Sequence, residues 1–369
     1  MTVKGWCPGA WRPMMSGDGL IVRIRPRLGR LTREQALGLC ALSQSQGNGI
    51  IDLTSRANLQ MRGVQENRHE QVLSALFDLG LLDATAEDEA RRNIIVTPTW
   101  QDGDLTDCLH DAILKALPDM PVLPAKMGIA IDTGLAPLLS DTSADFRFER
   151  AAIGDIILRA DSSAKGKRIT EDTAPAALIE LANWFVASGG PTARRMRKHL
   201  EATTLPDAWS EQEPLSTGPR LFPGTNDAAH VYGAPFGSID ASALTSLIKD
   251  SNATALRVTP WRLFLLESAQ PCAPHGFVID ADDPLLQVHA CPGAPACAAA
   301  TVDTRSLARA LAKPGLHVSG CAKGCAHPRS AVTTLVGRDG AYDLVENGHP
   351  WDAHRQRGLT RDDILTPAS

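Results

Sequence analysis

Gly19-Leu20-Ile21-Val22-Arg23-Ile24-Arg25-Pro26, Leu28-Gly29-Arg30-Leu31-Thr32 and Arg33-Glu34-Gln35-Ala36-Leu37-Gly38-Leu39-Cys40-Ala41-Leu42 together decide the fold. The first run alternates apolar and polar residues as a half-buried strand does and stops at a proline. In the third, Thr32 stands as an N-cap with Gln35 in the capping-box position, which predicts a helix, with Cys40 as a small core residue. The turn Gly47-Asn48-Gly49 then leads into a second strand, Ile50-Ile51-Asp52-Leu53-Thr54, and on to Ser55-Arg56-Ala57-Asn58-Leu59-Gln60-Met61. Strand, helix, strand is the unit.

A similar unit recurs about two hundred residues later. Pro235-Phe236-Gly237-Ser238-Ile239-Asp240 precedes the helical Ala241-Ser242-Ala243-Leu244-Thr245-Ser246-Leu247-Ile248, and the strand Ala255-Leu256-Arg257-Val258-Thr259 runs into Pro260-Trp261-Arg262. Leu28-Gly29-Arg30-Leu31-Thr32 aligns with Phe236-Gly237-Ser238-Ile239-Asp240, and Leu53-Thr54-Ser55-Arg56 with Val258-Thr259-Pro260-Trp261. Two βαβ halves that cannot each bury both faces are expected to pair into one mixed sheet.

The 369 residues exceed one ordinary core, so two or three domains are expected. The pattern divides the chain into a first half-repeat (1–85), an α/β domain (86–204), a Pro, Ser, Gly and Glu-rich linker (205–229), a second half-repeat (230–272) and a C-terminal α/β region (273–369). Lys plus Arg number 37 against 42 Asp plus Glu, a net charge of −5, which gives no reason to expect nucleic-acid binding. The uncharged stretch from Pro284 to Val302 contains Pro284, Pro292, Gly293 and Pro295 and is unsuited to spanning a membrane.

Cys291-Pro-Gly-Ala-Pro-Ala-Cys297 and Cys321-Ala-Lys-Gly-Cys325 carry the strongest chemical signal. Two loop-borne cysteine pairs among small residues suit a [4Fe–4S] cluster, whose sulfurs accept backbone N–H bonds. Zinc ribbons use closer pairs, and the gap between Cys291 and Cys297 fits them poorly. Cys7, Cys40, Cys108 and Cys272 are scattered and no secretory signal opens the chain, so disulfides are not expected and a cytoplasmic, reducing location is. His289 and His327 each lie two residues from a cluster cysteine, as iron ligands or as hydrogen-bonded structural groups.

The order of the first half with its Leu53-Thr54-Ser55-Arg56-Ala57-Asn58 run, Arg92-Asn93-Ile94, Leu123-Pro124-Ala125-Lys126, a second half and the two cysteine pairs resembles the sulfite and nitrite reductase superfamily over most of the chain. Trp6-Cys7-Pro8-Gly9, Ser16-Gly17-Asp18-Gly19, Thr259-Pro260-Trp261-Arg262 and Cys321-Ala-Lys-Gly-Cys-Ala-His-Pro328 look most like the precorrin-3B synthase family within it. The resemblance implies an α+β fold: two ferredoxin-like half-repeats paired into one domain, with sirohaem-reductase-like α/β domains and a C-terminal Fe–S region. It also implies a tetrapyrrole site drawing on Arg56, Arg92 and Lys126, with Arg23, Arg25 and Arg262 at strand ends as further carboxylate contacts, and cluster ligation by Cys291, Cys297, Cys321 and Cys325.

In the reductases a second lysine and a glutamine complete the small-anion pocket, but here those positions are Gly128 and Ala57. The lost cation disfavours sulfite, and Gly128 is expected to leave room for a larger ligand. The family reaction is oxygen-dependent hydroxylation of precorrin-3A at C20 with lactone formation, in aerobic cobalamin biosynthesis. It involves O₂, a mononuclear non-haem iron and an external electron donor, NADH-linked or ferredoxin-like, since no Gly-x-Gly-x-x-Gly segment marks a nucleotide domain. The alternative is a sirohaem-dependent sulfite or nitrite reductase. A zinc-stapled binding module would leave the repeat and the arginine motifs without a role.

Overall fold

The computed structural model describes residues 8–225, 229–272 and 274–366, so Trp6 and Cys7 of the N-terminal motif lie outside the described residues. The first half supplies strands β1 (Met14–Ser16), β2 (Gly19–Ile24), β3 (Arg30–Thr32), β4 (Ile50–Leu53) and β5 (Leu59–Val64), with a helix over Arg33–Gln46. The middle region supplies β6 (Ile94–Val96), β7 (Ile129–Asp132), β8 (Phe146–Arg150), β9 (Ile156–Ala160) and β10 (Lys167–Ile169). The second half gives β11 (Gly224–Thr225), β12 (Ala229–Gly233), β13 (Ser238–Asp240), β14 (Ala255–Val258) and β15 (Leu263–Glu267), with a helix over Ala241–Asp250. The C-terminal region adds β16 (His289–Ala290), β17 (Leu316–Ser319), β18 (Ala331–Arg338), β19 (Ala341–Gly348) and β20 (Gln356–Leu359).

The two halves do not merge into one mixed sheet; they form two antiparallel sheets that exchange a strand. The first runs β1-β2-β5-β4-β13 and the second β11-β12-β15-β14-β3. Each half gives its short pre-helical strand to the other, β13 pairing with β4 through Ile239 opposite Ile51, and β3 with β14 through Leu31 opposite Leu256. The cause is local and repeated. Leu28-Gly29 and Phe236-Gly237 all take left-handed backbone, φ 54°, 64°, 62° and 72°, which turns the chain out of its own sheet; glycine makes the second of each pair easy.

The following helix is then capped in both halves. The Thr32 hydroxyl accepts from Gln35 N while the Gln35 side chain accepts from Thr32 N, and the Asp240 carboxylate accepts from Ser242 N and Ala243 N. One apolar core runs through both halves, from Leu31, Leu39, Cys40 and Ile51 to Ile239, Leu244, Leu256 and Phe264.

The middle sheet, β10-β9-β8-β7-β6, is parallel from β6 to β8 and antiparallel beyond, and packs on the helices Leu105–Ala116 and Ala174–Ala187. The stretch read as a linker is not free chain there. Trp209 is buried in the middle core, and Gln212 and Pro214 bridge to Gly166 and Ala151. The C-terminal sheet, β16-β17-β18-β19-β20, contains the expected hairpin as β18 and β19, and β17 delivers the chain to Cys321. Among the described residues no helix is long and apolar enough to cross a membrane.

Because β13 completes the first sheet from the second half, Ile239→Ala should lower stability by about 2–5 kcal/mol. Urea unfolding should lose both halves in one transition, whereas separate transitions would contradict the shared core.

Candidate functional site

The two cysteine loops meet at the C-terminal ends of β16 and β17, which lie side by side in parallel. Burial, then the neighbouring Cys321 and Cys291, pushes the Cys325 thiol up, and Cys291 and Cys325 of the two loops line one cleft. The Gly320 N–H donates to Cys291 Sγ at 3.1 Å, the kind of backbone bond that stabilises a thiolate. Among the described residues no three His, Cys, Asp or Glu side chains are arranged to hold a single metal ion. Cys291 and Cys325 reach one wall from different loops, whereas a zinc would draw four sulfurs to about 2.3 Å from a single point, an arrangement not found among the described residues. The mononuclear iron finds no ligand set of that kind among the described residues.

Beside the cysteines opens a cleft of some 340 Å³, at the lower end of the roughly 300–1,000 Å³ usual for small-molecule sites. Its walls come from three directions: Asp52, Gln60 and Arg62 of the first sheet, Arg262 after β14, and Cys291 with Cys325. Strand register explains the first wall. Arg23 lies opposite Gln60, Gln60 opposite Asp52, and Asp52 opposite Ser238. This polar row therefore shares one face, while Val22, Met61 and Ile51 turn the other way into the core. Arg62, Arg262 and Arg305 line the cleft against the single carboxylate of Asp52, which makes it a cationic site in a chain of net charge −5.

Arg262 is a fastener as well as a wall. Its guanidinium donates to Val288 O at 3.0 Å, to His289 Nδ1 at 2.6 Å and to Ala326 O at 3.3 Å, joining the second half to both cysteine loops. Burial, then the charge of Arg305, pushes its pKa down to about 10. His289 stacks on His327 at 3.9 Å between ring centroids, and His327 meets the buried His317 edge-on at 5.8 Å. Burial, then Arg262, pushes His289 down to about 3. His317 falls to about 4, chiefly by burial, and both its ring nitrogens are buried without a hydrogen-bond partner.

The other expected contacts fall into two groups. Arg56 donates to the Lys126 carbonyl at 2.6 Å, so those two motifs touch. Arg92 is buried in a two-pronged pair with Asp83, both bonds 2.8 Å, and donates to Arg25 O at 2.7 Å; it lines a separate hollow with Asp83 and Leu114. Arg25 bonds the Glu89 carbonyl and is pushed down to about 10 by burial. The Nε atoms of Arg23 and Arg25 are buried without partners. Gly128 lines a hollow with Asn93, Met127 and Phe146, not the cleft beside the cysteines. A Cβ there would lie 2.8 Å from Asn93 Nδ2 and 3.1 Å from Asn93 O. Sequence reading missed Asp52, Gln60, Arg62, Arg305 and His317. Arg62 was accessible to the same alternation argument as Arg23, through Gln60-Met61-Arg62; Arg305 and His317 gave no local signal.

Residues 12–78 match the family model described as the nitrite/sulfite reductase ferredoxin-like half domain. A precorrin-3B synthase of a Sinorhizobium species is 29% identical, over 94% of this chain and 83% of that protein. The chain is thus similar over most of its length to a precorrin-3B synthase and, over part of it, to the nitrite and sulfite reductases. A ferredoxin–nitrite reductase of Synechococcus elongatus is also 29% identical, over only 35% of this chain and 27% of its own length. The fold is shared with the Mycobacterium tuberculosis NirA protein, at a TM-score of 0.58 and 16% identity, over 94% of this chain and 79% of that one.

Two outcomes follow. Cys291→Ser should abolish cluster assembly and destabilise the C-terminal sheet, since metal binding and local folding are coupled; full iron and sulfide in that variant would refute the ligand assignment. His317 supplies a pH test. Its lowered folded pKa means that the unfolded chain takes up a proton that the folded one refuses as pH falls from about 6.5 to about 4. Stability should therefore drop across that window and level off above it, and His317→Leu should flatten part of the slope of urea midpoint against pH.

Proposed function

We propose that this chain is a precorrin-3B synthase, an oxidoreductase that hydroxylates precorrin-3A at C20 with O₂ and closes a lactone onto a ring acetate. The observation that carries this reading is the cationic cleft shared by the first sheet and the cysteine loops, on a chain similar over 94% of its length to a precorrin-3B synthase. Precorrin-3A is a macrocycle fringed by carboxylates. Arg262 and Arg305, held in place by the loops and by Asp52, put positive charge on the wall that would face such groups, with Arg23 and Gln60 extending the polar face along the first sheet. Arg56 and Lys126, which touch each other, stand as outer contacts, while Arg25 and Arg92 are taken up by Glu89 and Asp83.

A [4Fe–4S] cluster held by Cys291, Cys297, Cys321 and Cys325 would supply single-electron transfer beside the cleft. The protein's own part is to orient the macrocycle against that wall and to keep the carboxylate fringe paired. Incorporating one atom of O₂ as hydroxyl and reducing the other to water takes two electrons and two protons, so an external donor, NADH-linked or ferredoxin-like, is required. No step is assigned to a mononuclear iron. The alternative, sirohaem-dependent reduction of sulfite or nitrite, draws on the partial match to the nitrite reductase. Against it stands position 128, where Asn93 occupies the space a lysine side chain would leave by.

Anaerobically purified protein given precorrin-3A, a chemical reductant and isotopically labelled O₂ should yield a product carrying one labelled oxygen atom, read by mass spectrometry. Unchanged precorrin-3A, with sirohaem bands in the purified protein and sulfite or nitrite turnover, would replace this reading with the alternative.

A further inference from the structure

The Ser16-Gly17-Asp18-Gly19 motif has no part in the cleft, yet it reaches the cysteine-bearing loop from 280 positions away in the chain. The turn between β1 and β2 lies flush on the Cys291–Cys297 loop. A Cβ on Gly17 would sit 2.4 Å from Pro295 O and 2.8 Å from Ala298 N, so no other residue fits without moving loop backbone. Three donors converge on one acceptor there, the Ala296 carbonyl immediately before Cys297. Ser16 Oγ donates at 2.8 Å, Gly17 N at 3.2 Å and Arg62 Nη2 at 2.9 Å. A carbonyl has two lone pairs, and here one of its three donors is a cation.

Arg62 is itself locked. Its side chain is 5% exposed, with Nε 3.1 Å from Asp18 Oδ2 and Nη1 3.3 Å from Asp52 Oδ2. Asp52 is shared in turn with Arg305 at 2.8 Å. Arg62 thus lines the same cleft as Cys291 and Cys325 while holding the backbone beside Cys297. A fixed positive charge in a poorly solvated site favours whichever redox state of a neighbouring centre is more negative.

We propose that Arg62 is a positioning residue for the cluster. With the Ser16–Gly17 turn it fixes the Cys291–Cys297 limb, and its charge raises the reduction potential of the cluster that those cysteines hold. The inference rests on the cluster assignment and not on the identity of the macrocycle. Iron and sulfide assays, the electron paramagnetic resonance spectrum and a potentiometric titration of the reduced protein test it in three chains: the unaltered protein, Arg62→Met and Arg62→Lys.

Arg62→Met should retain iron and sulfide but show a more negative midpoint potential and altered g-values. Arg62→Lys, which keeps the charge and loses the fork, should stay close to the unaltered potential. If Arg62→Met fails to assemble a cluster, the lysine variant still decides. A full cluster at unaltered potential supports the proposal, and a potential displaced despite the retained charge overturns it. An Arg62→Met protein with full iron, unaltered potential and unaltered spectrum would reduce Arg62 to packing and overturn it too. Absence of iron and sulfide from the unaltered protein would overturn it together with the cluster assignment. Failure to turn over precorrin-3A with the potential shift intact would instead count only against the proposed substrate.

Discussion

The exchange of two three-residue strands is the constraint on which the rest depends. Without β13 on β4 and β3 on β14, each half would leave a sheet edge and one helix face unpaired. With them, the helices Arg33–Gln46 and Ala241–Asp250 pack against each other over a single core. The polar face of the first sheet is then turned toward the loop that follows β14. The cleft is a consequence of that closure: its walls are contributed by strands distant in sequence whose relative position the exchange fixes.

Arginine does most of the joining between the parts. Arg262 ties the second half to both cysteine loops, Arg62 ties the first half to one of them, and Arg257 donates to the Pro98 and Trp100 carbonyls of the middle region. A planar fork with several donors suits this role, because it satisfies backbone carbonyls that meet at the seams, where no regular ladder reaches them. The same property makes arginine the natural partner of a carboxylate fringe. Individual residues therefore divide between fastening and recognition, and Arg92, paired with Asp83, lies on the fastening side.

Much of this was legible in the sequence. The capping box at Thr32 and Gln35, the alignment of Leu28-Gly29 with Phe236-Gly237, buried Cys40 and the final hairpin follow from local rules, and the structure has them where those rules put them. The strand exchange was not legible, because repeat alignment says that two units are alike and not which edges they trade. The site was legible where motifs are compact, as in the cysteine pairs, and opaque where it is assembled from register. Asp52, Gln60 and Arg62 become neighbours of Cys291 only through pairing. Gly128 lines a hollow apart from the cleft, and a missing side chain in the sequence does not say which cavity it borders.

The central claim is that four cysteines from two loops enclose a cluster beside a cationic cleft. Its most direct test is iron, zinc and acid-labile sulfide analysis of anaerobically purified protein, with the absorption spectrum of the same sample. The account predicts iron and sulfide in the equal proportions of a [4Fe–4S] centre, with a broad absorption that bleaches on reduction. Zinc bound without sulfide would contradict it.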